Sequence, residues 1–160
     1  MTIGHWARIS KCIEFDAGHR VPRHESKCYN IHGHRYKVTA VCKGTIVEEH
    51  DAPDEGMLID FGALKDFMMS DIHDVLDHGC ILYRGDVNAI EALQNLGEFD
   101  KKPQKIIEFP YVPTAENIAR WCFDVLNVRV SHHFRDNLIL DHIEVYETPT
   151  SCASYPEVIH

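Results

Sequence analysis

From Ile9 to His19 the odd-numbered positions read Ile9, Lys11, Ile13, Phe15, Ala17 and His19. This mostly apolar set at period two predicts a strand with one face turned to a core. After a Pro-, His- and Lys-containing loop from Val21 to Asn30, Tyr36, Val38, Ala40 and Cys42 alternate with Lys37 and Thr39. The alternation predicts a second strand beginning near His32, paired antiparallel with the first across the loop. A last strand is expected over Leu138 to Glu147, where Ile143, Val145 and Glu147 share a face.

Two stretches have helical spacing instead. Met57-Leu-Ile-Asp60 ends in a residue suited to capping a helix, and Leu64, Phe67, Met68, Ile72, Val75 and Leu76 follow, predicting an amphipathic helix over 61 to 76. Pro113-Thr114 marks the start of another, with Ile118, Trp121, Cys122, Val125 and Leu126 as its buried stripe. Residues 79 to 112 form an excursion between the helices, with a short helix near Asn88–Leu96 and a strand at Ile106–Phe109. The order strand, strand, helix, helix, strand predicts one α+β domain over residues 1–160 with a mostly antiparallel sheet.

Composition narrows the function classes. The chain has 160 residues and is 44% hydrophobic, with no internal repeat. It has no apolar run of the roughly 18 residues that a membrane span needs. Its N-terminal residues lack an apolar signal segment, which predicts a cytoplasmic protein. The net charge of −9 argues against a nucleic-acid partner. Locally the balance reverses: Arg20, Arg23, Lys27, Arg35 and Lys37 stand against the single acid Glu25, a stretch suited to an anionic small molecule or simply to a solvated loop. The six cysteines are scattered, so thiols rather than bridges are expected. Twelve histidines are many for this length.

His32-Gly33-His34 carries the clearest chemistry. At a strand start, positions i and i+2 share a face, so both imidazoles can converge on one metal, and neutral imidazole suits zinc. His19 ends the first strand on its core-facing parity and comes alongside them if the strands pair. Three histidines without an evident fourth ligand describe an open, catalytic zinc site. Cys28, four residues before His32, is a fourth ligand closing a structural site, a base beside the metal, or simply a packed loop thiol; positive charge from Lys27 and a metal would favour the reactive thiolate. Asp77-His78 is an orienting pair for proton transfer or a simple complement to a helix C-terminus. Glu147 continues an apolar face. It is either exposed by fraying or buried opposite a guanidine-like edge of a ligand.

Together these segments resemble the 6-pyruvoyl-tetrahydropterin synthase superfamily. The residues that carry the resemblance are Phe15-Asp-Ala-Gly-His19, Cys28-Tyr-Asn-Ile-His32-Gly-His34, Leu58-Ile-Asp-Phe61, Leu76-Asp-His78, Pro113-Thr-Ala-Glu-Asn117 and Val145-Tyr-Glu-Thr148. The three-residue gap between Cys28 and His32 is similar to the branch that makes 6-carboxy-5,6,7,8-tetrahydropterin for queuosine and other 7-deazaguanines. The pyruvoyl-forming branch, which stops before chain cleavage, has a longer gap.

The resemblance implies a T-fold: an antiparallel four-stranded sheet with two helices packed on one face. It also implies homo-oligomers, trimers or dimers of trimers, with active sites at subunit interfaces. It further implies Zn2+ on His19, His32 and His34, with Cys28 as proton acceptor assisted by Asp77 and His78. Glu147 would anchor a pterin ring, with Glu116 and Thr114 near the same pocket. The implied substrate is 7,8-dihydroneopterin triphosphate, and Arg20, Arg23 and Lys27 are candidates for its triphosphate. A non-catalytic zinc- or pterin-binding module is the reading from a different class.

Overall fold

The computed structural model describes residues 5–134 and 138–157. Its backbone is two long antiparallel strands, β1 (Trp6–His19) and β2 (His32–Thr45), joined by a loop containing one 3-10 turn at Lys27–Tyr29. Their register sets Phe15 opposite Tyr36, Ala17 opposite His34 and His19 opposite His32. Alternation along both strands then turns Ile13, Phe15, Ala17 and His19 to the same face as Tyr36, Val38, Ala40 and Cys42. All eight are buried.

That face is covered by helices. Asp60 caps α1 (Phe61–Met68) by accepting from the Gly62 amide at 2.7 Å. The rod continues through a π-helical stretch, Met69–His73, into a last turn, α2 (Asp74–Leu76). The predicted helix over 61–76 is thus present but wound differently near its end. Leu64, Met68, Ile72 and Leu76 are fully buried along it, because one widened turn still leaves them on the sheet-facing side. The long helix α4 (Ala115–His133) adds Ile118, Ala119, Cys122, Leu126 and Val130 to the same core. Arg129 of α4 grips Asp71 of the π-helical stretch with two donors, at 2.6 and 3.1 Å.

The excursion is more ordered than the sequence pattern indicates. It contains β3 (Cys80–Tyr83), α3 (Val87–Asp100) and β4 (Ile106–Phe109). β3 pairs parallel to the end of β1, with Gly18 opposite Cys80 and His19 opposite Ile81, and β4 pairs parallel to β3. Ile81 joins the main core while its neighbour Leu82 packs with Ala89 and Ile90 of α3. Successive strand residues point to opposite faces, so α3 lies on the other side of the sheet from α1 and α4. On the far edge, β5 (Leu138–Thr148) pairs with β2, and β6 (Ser151–Tyr155) with β5.

The sheet is therefore six-stranded and mixed, in the order β4-β3-β1-β2-β5-β6. This corrects the expected antiparallel four-stranded sheet with two helices. β1, β2, β5 and β6 do form an antiparallel four-stranded unit, with α1 and α4 on one face. The excursion lengthens it by two parallel strands and a third long helix. Among the described residues no helix is long and apolar enough to cross a membrane, and the six cysteines are free thiols.

Ile72 is fully buried on the π-helical stretch, between sheet and α4. Ile72→Ala is expected to lower the free energy of unfolding by about 3 kcal/mol, read by urea denaturation. A loss below about 1 kcal/mol would mean that the widened turn relaxes to fill the space.

Candidate metal centre and adjoining cleft

The register of β1 and β2 brings His19, His32 and His34 together. Their ligand atoms all lie within 4.8 Å of one another, and their ring centroids are 4.5 to 5.2 Å apart. The His19 ring donates from Nδ1 to the Pro113 carbonyl at 2.7 Å, and the His32 ring donates from Nδ1 to the Asn30 carbonyl at 2.8 Å. Both donations leave Nε2 as the free lone pair, and the two Nε2 atoms face each other at 3.1 Å. Two lone pairs in contact repel. A cation between them converts the contact into coordination, and the carbonyl partners hold each ring in the ligating tautomer. Gly33 keeps the strands close at this point: a Cβ there would come within 3.2 Å of the Ala17 carbonyl oxygen.

His19 is 2% exposed. In the metal-free protein burial pushes its imidazole down to about 4, with the neighbouring His32 and His34 acting in the same direction and the Pro113 carbonyl opposing. Burial also lowers His34, followed by the effect of His32. These rings stay neutral, as metal binding requires.

A cleft of about 400 Å3 opens beside His19. Cys28, Thr114, Glu116 and Glu147 line it, together with Val21, His24 and residues 150–153. Cys28 is half-buried on its 3-10 turn. Among the described residues its sulfur does not join the ligand group of the three histidines. Thr114 caps α4, its hydroxyl accepting from the Asn117 amide at 3.4 Å, and Glu116 occupies the first turn. Glu147 sits at the end of β5, half-buried, with Oε1 shielded from solvent and making no hydrogen bond among the described residues. Burial raises its carboxyl above the usual range, and the charge of Glu116 adds to the effect while His32 opposes it. The buried Tyr36 hydroxyl faces Glu147 without an aligned hydrogen bond; burial raises the phenol, the Glu147 charge adds to this, and Tyr36 in turn works against the rise at Glu147.

Asp77 and His78 are brought together, but not with Cys28. The His78 ring donates from Nδ1 to the Asp77 carboxylate at 2.7 Å, and the other carboxylate oxygen accepts from the Asp16 amide at 3.1 Å. The Asp16 amide holds the Asp77 carboxyl below its ordinary value, against its partial burial and with further help from the His78 hydrogen bond. His78 has a left-handed backbone (φ 56°) and opens with His34 onto a different depression, of about 500 Å3. Of the basic candidates, Arg23 and Lys27 are exposed, whereas Arg20 is tied to Asp86.

Sequence reasoning missed the backbone carbonyls of Pro113 and Asn30, the ring of His24 and the β6 residues Ser151 to Ala153. In the sequence Pro113 is a helix-start signal and part of a family motif, neither of which reveals its carbonyl as a partner of His19, and β6 is too short and polar to stand out.

The sequence profile described as "6-pyruvoyl tetrahydropterin synthase" matches residues 8–158, and the chain belongs to this family. It is 32% identical over 142 residues to the 6-carboxy-5,6,7,8-tetrahydropterin synthase of Rickettsia conorii, covering 89% of this chain and 94% of the relative. It is also 32% identical over 150 residues to the enzyme of the same name from Haemophilus influenzae, covering 94% and 99%. The structure of Caenorhabditis elegans 6-pyruvoyl tetrahydropterin synthase superposes with a TM-score of 0.64 at 24% identity, over 99% of this chain and all (100%) of that one.

Because His19 is held neutral in the folded, metal-free protein, the unfolded chain takes up the proton first as pH falls. Its contribution to stability is fully present above about 6.5 and is lost as pH falls through about 4. Between pH 7 and pH 4, metal-stripped protein is expected to lose on the order of 2 to 3 kcal/mol from this group. His19→Asn should flatten that part of the profile in urea titrations with chelator present. An unchanged slope would show that other groups dominate it.

Proposed function

We propose that this protein is a zinc-dependent 6-carboxy-5,6,7,8-tetrahydropterin synthase, a lyase. Its substrate is 7,8-dihydroneopterin triphosphate, from which it releases acetaldehyde and triphosphate in the cytoplasm for queuosine or another 7-deazaguanine. The observation that carries the reading is the content of one cleft. A metal-ready imidazole, a thiol outside the ligand group and a shielded, unbonded carboxylate oxygen line it together. The two relatives of that name described above cover 89% and 94% of the chain.

His19, His32 and His34 would hold Zn2+, three imidazoles being a donor set suited to a catalytic zinc site. Bound there, the ion supplies Lewis-acid stabilisation of charge developing on side-chain oxygens of the substrate. Glu147 receives the aminopyrimidine edge of the pterin: a shielded carboxylate oxygen lacking a donor is matched by adjacent ring and amino N–H groups. Glu116 and Thr114 border that pocket. Cys28, on the cleft wall next to the metal site, takes the carbon-bound proton. Asp77 orients His78 and leaves its Nε2 open for proton transfer. Since that pair opens away from Cys28 within one chain, we assign it to the Cys28 cleft of a neighbouring copy in a homo-oligomer.

Cys28→Ala is expected to retain one zinc per chain while turnover falls by at least about 100-fold. Loss of zinc from that variant would make Cys28 a ligand and the base assignment wrong. With 7,8-dihydroneopterin triphosphate, the wild type should yield acetaldehyde and a carboxypterin by mass spectrometry. A pyruvoyl pterin as final product would replace this reading with the related elimination reaction.

A further inference from the structure

Arg20 directly follows the metal-site residue His19, and Tyr29 directly follows Cys28. The Arg20 guanidinium lies over the Tyr29 ring, 4.5 Å from its centroid. On its other side, Arg20 Nε is 2.9 Å from an Asp86 carboxylate oxygen, in an ion pair not aligned as a hydrogen bond. The Arg20 and Asp86 side chains are only 18% and 9% exposed. One residue further on, the Val21 amide donates to the Cys28 carbonyl at 2.9 Å. Asp86 belongs to the excursion. β3 runs parallel to the end of β1, and the Asp86 amide bonds the Tyr83 carbonyl at 2.7 Å, so the start of α3 comes level with Arg20.

We propose that Asp86, Arg20 and Tyr29 form a strut by which the excursion fixes the Cys28 turn against the three-histidine centre. Arg20 is then a positioning residue and not a ligand of the triphosphate. A buried ion pair holds the guanidinium plane, and that plane holds the ring beside Cys28 by cation–π attraction. Without it, among the described residues the turn keeps the Val21–Cys28 hydrogen bond, its own 3-10 bonds, and the bonds that Asn30 makes to the Lys27 carbonyl and to the His32 ring, all of them near its C-terminal end or its carbonyl side. An ångström of displacement at a reacting group costs on the order of 100-fold in rate. This gives α3, on the face of the sheet away from the main core, a role at the active site. The inference rests on the reading of Cys28 as the base.

The test uses zinc-loaded full-length protein and the variants Arg20→Met, Asp86→Asn, Tyr29→Leu and Tyr29→Phe. Asn keeps any capping capacity at the start of α3. Three quantities are read: zinc content, kcat and KM for 7,8-dihydroneopterin triphosphate, and the alkylation rate of the Cys28 peptide with iodoacetamide. The strut requires unchanged zinc and a kcat lower by at least about 10-fold in the first three variants. It also requires alkylation faster by about three-fold or more as the turn loosens. Tyr29→Phe, which keeps the ring face, should lose far less than Tyr29→Leu, and adding Asp86→Asn to Arg20→Met should cost little more.

Asp86→Asn separates the strut from direct triphosphate binding. Freeing an anion-binding Arg20 from its counter-charge would lower KM, and that result, or normal kcat and alkylation in Arg20→Met, overturns the proposal. If the wild type does not turn over this substrate, the functional reading fails while the alkylation rates still decide the strut.

Discussion

The pairing of β1 with β2 is the constraint from which core and site both follow. Fourteen residues on each strand meet in one unbroken antiparallel register. Sliding one strand by a single residue would turn Tyr36, Val38, Ala40 and Cys42 out of the core together. Each large apolar side chain so exposed costs about 1.5 to 3 kcal/mol. The same slip would carry His32 and His34 away from His19. The hydrophobic core therefore fixes the position of the histidines, and metal-binding geometry need not be specified by the histidines themselves.

At the end of that pairing, polar groups are left poised. His19 is neutral because burial disfavours its charge, and Glu147 has a shielded oxygen with no donor. Two carboxylates elsewhere in the fold are well satisfied by comparison. Asp71 is gripped by Arg129, and Asp77 receives both a backbone amide and His78. The contrast matters because an unpaired buried polar group costs about 1 to 3 kcal/mol. A site that tolerates several such groups is complementary to something that supplies positive charge and N–H donors.

The site is assembled from the ends of elements far apart in the chain. β1 supplies His19, β2 supplies His32 and His34, and β5 supplies Glu147. The residue just before the α4 cap supplies the carbonyl that orients His19. Strand ends and helix starts leave backbone groups free, so carbonyls such as those of Pro113 and Asn30 can orient imidazoles instead of serving a ladder. The excursion reaches the same region by running parallel to β1, which brings Asp86 to Arg20 across 66 residues of sequence.

The period-two alternation of Ile13, Phe15 and Ala17 with the matching run from Tyr36 to Cys42 was enough to specify the central strand pair. The spacing of Leu64, Met68, Ile72 and Ile118, Cys122, Leu126 was enough for the covering helices, because burying one face leaves a periodic trace. The His-Gly-His pair and the parity of His19 likewise made the three-histidine cluster legible. β3 and β6 were not legible: four or five residues carry too little periodicity, and a parallel neighbour is not adjacent in sequence. Nor could local pattern decide whether Cys28 joins the ligands, whether Glu147 is shielded, or that His78 faces away from Cys28. Those depend on distances and burial created only when separate segments pack, and tertiary structure alone supplies them.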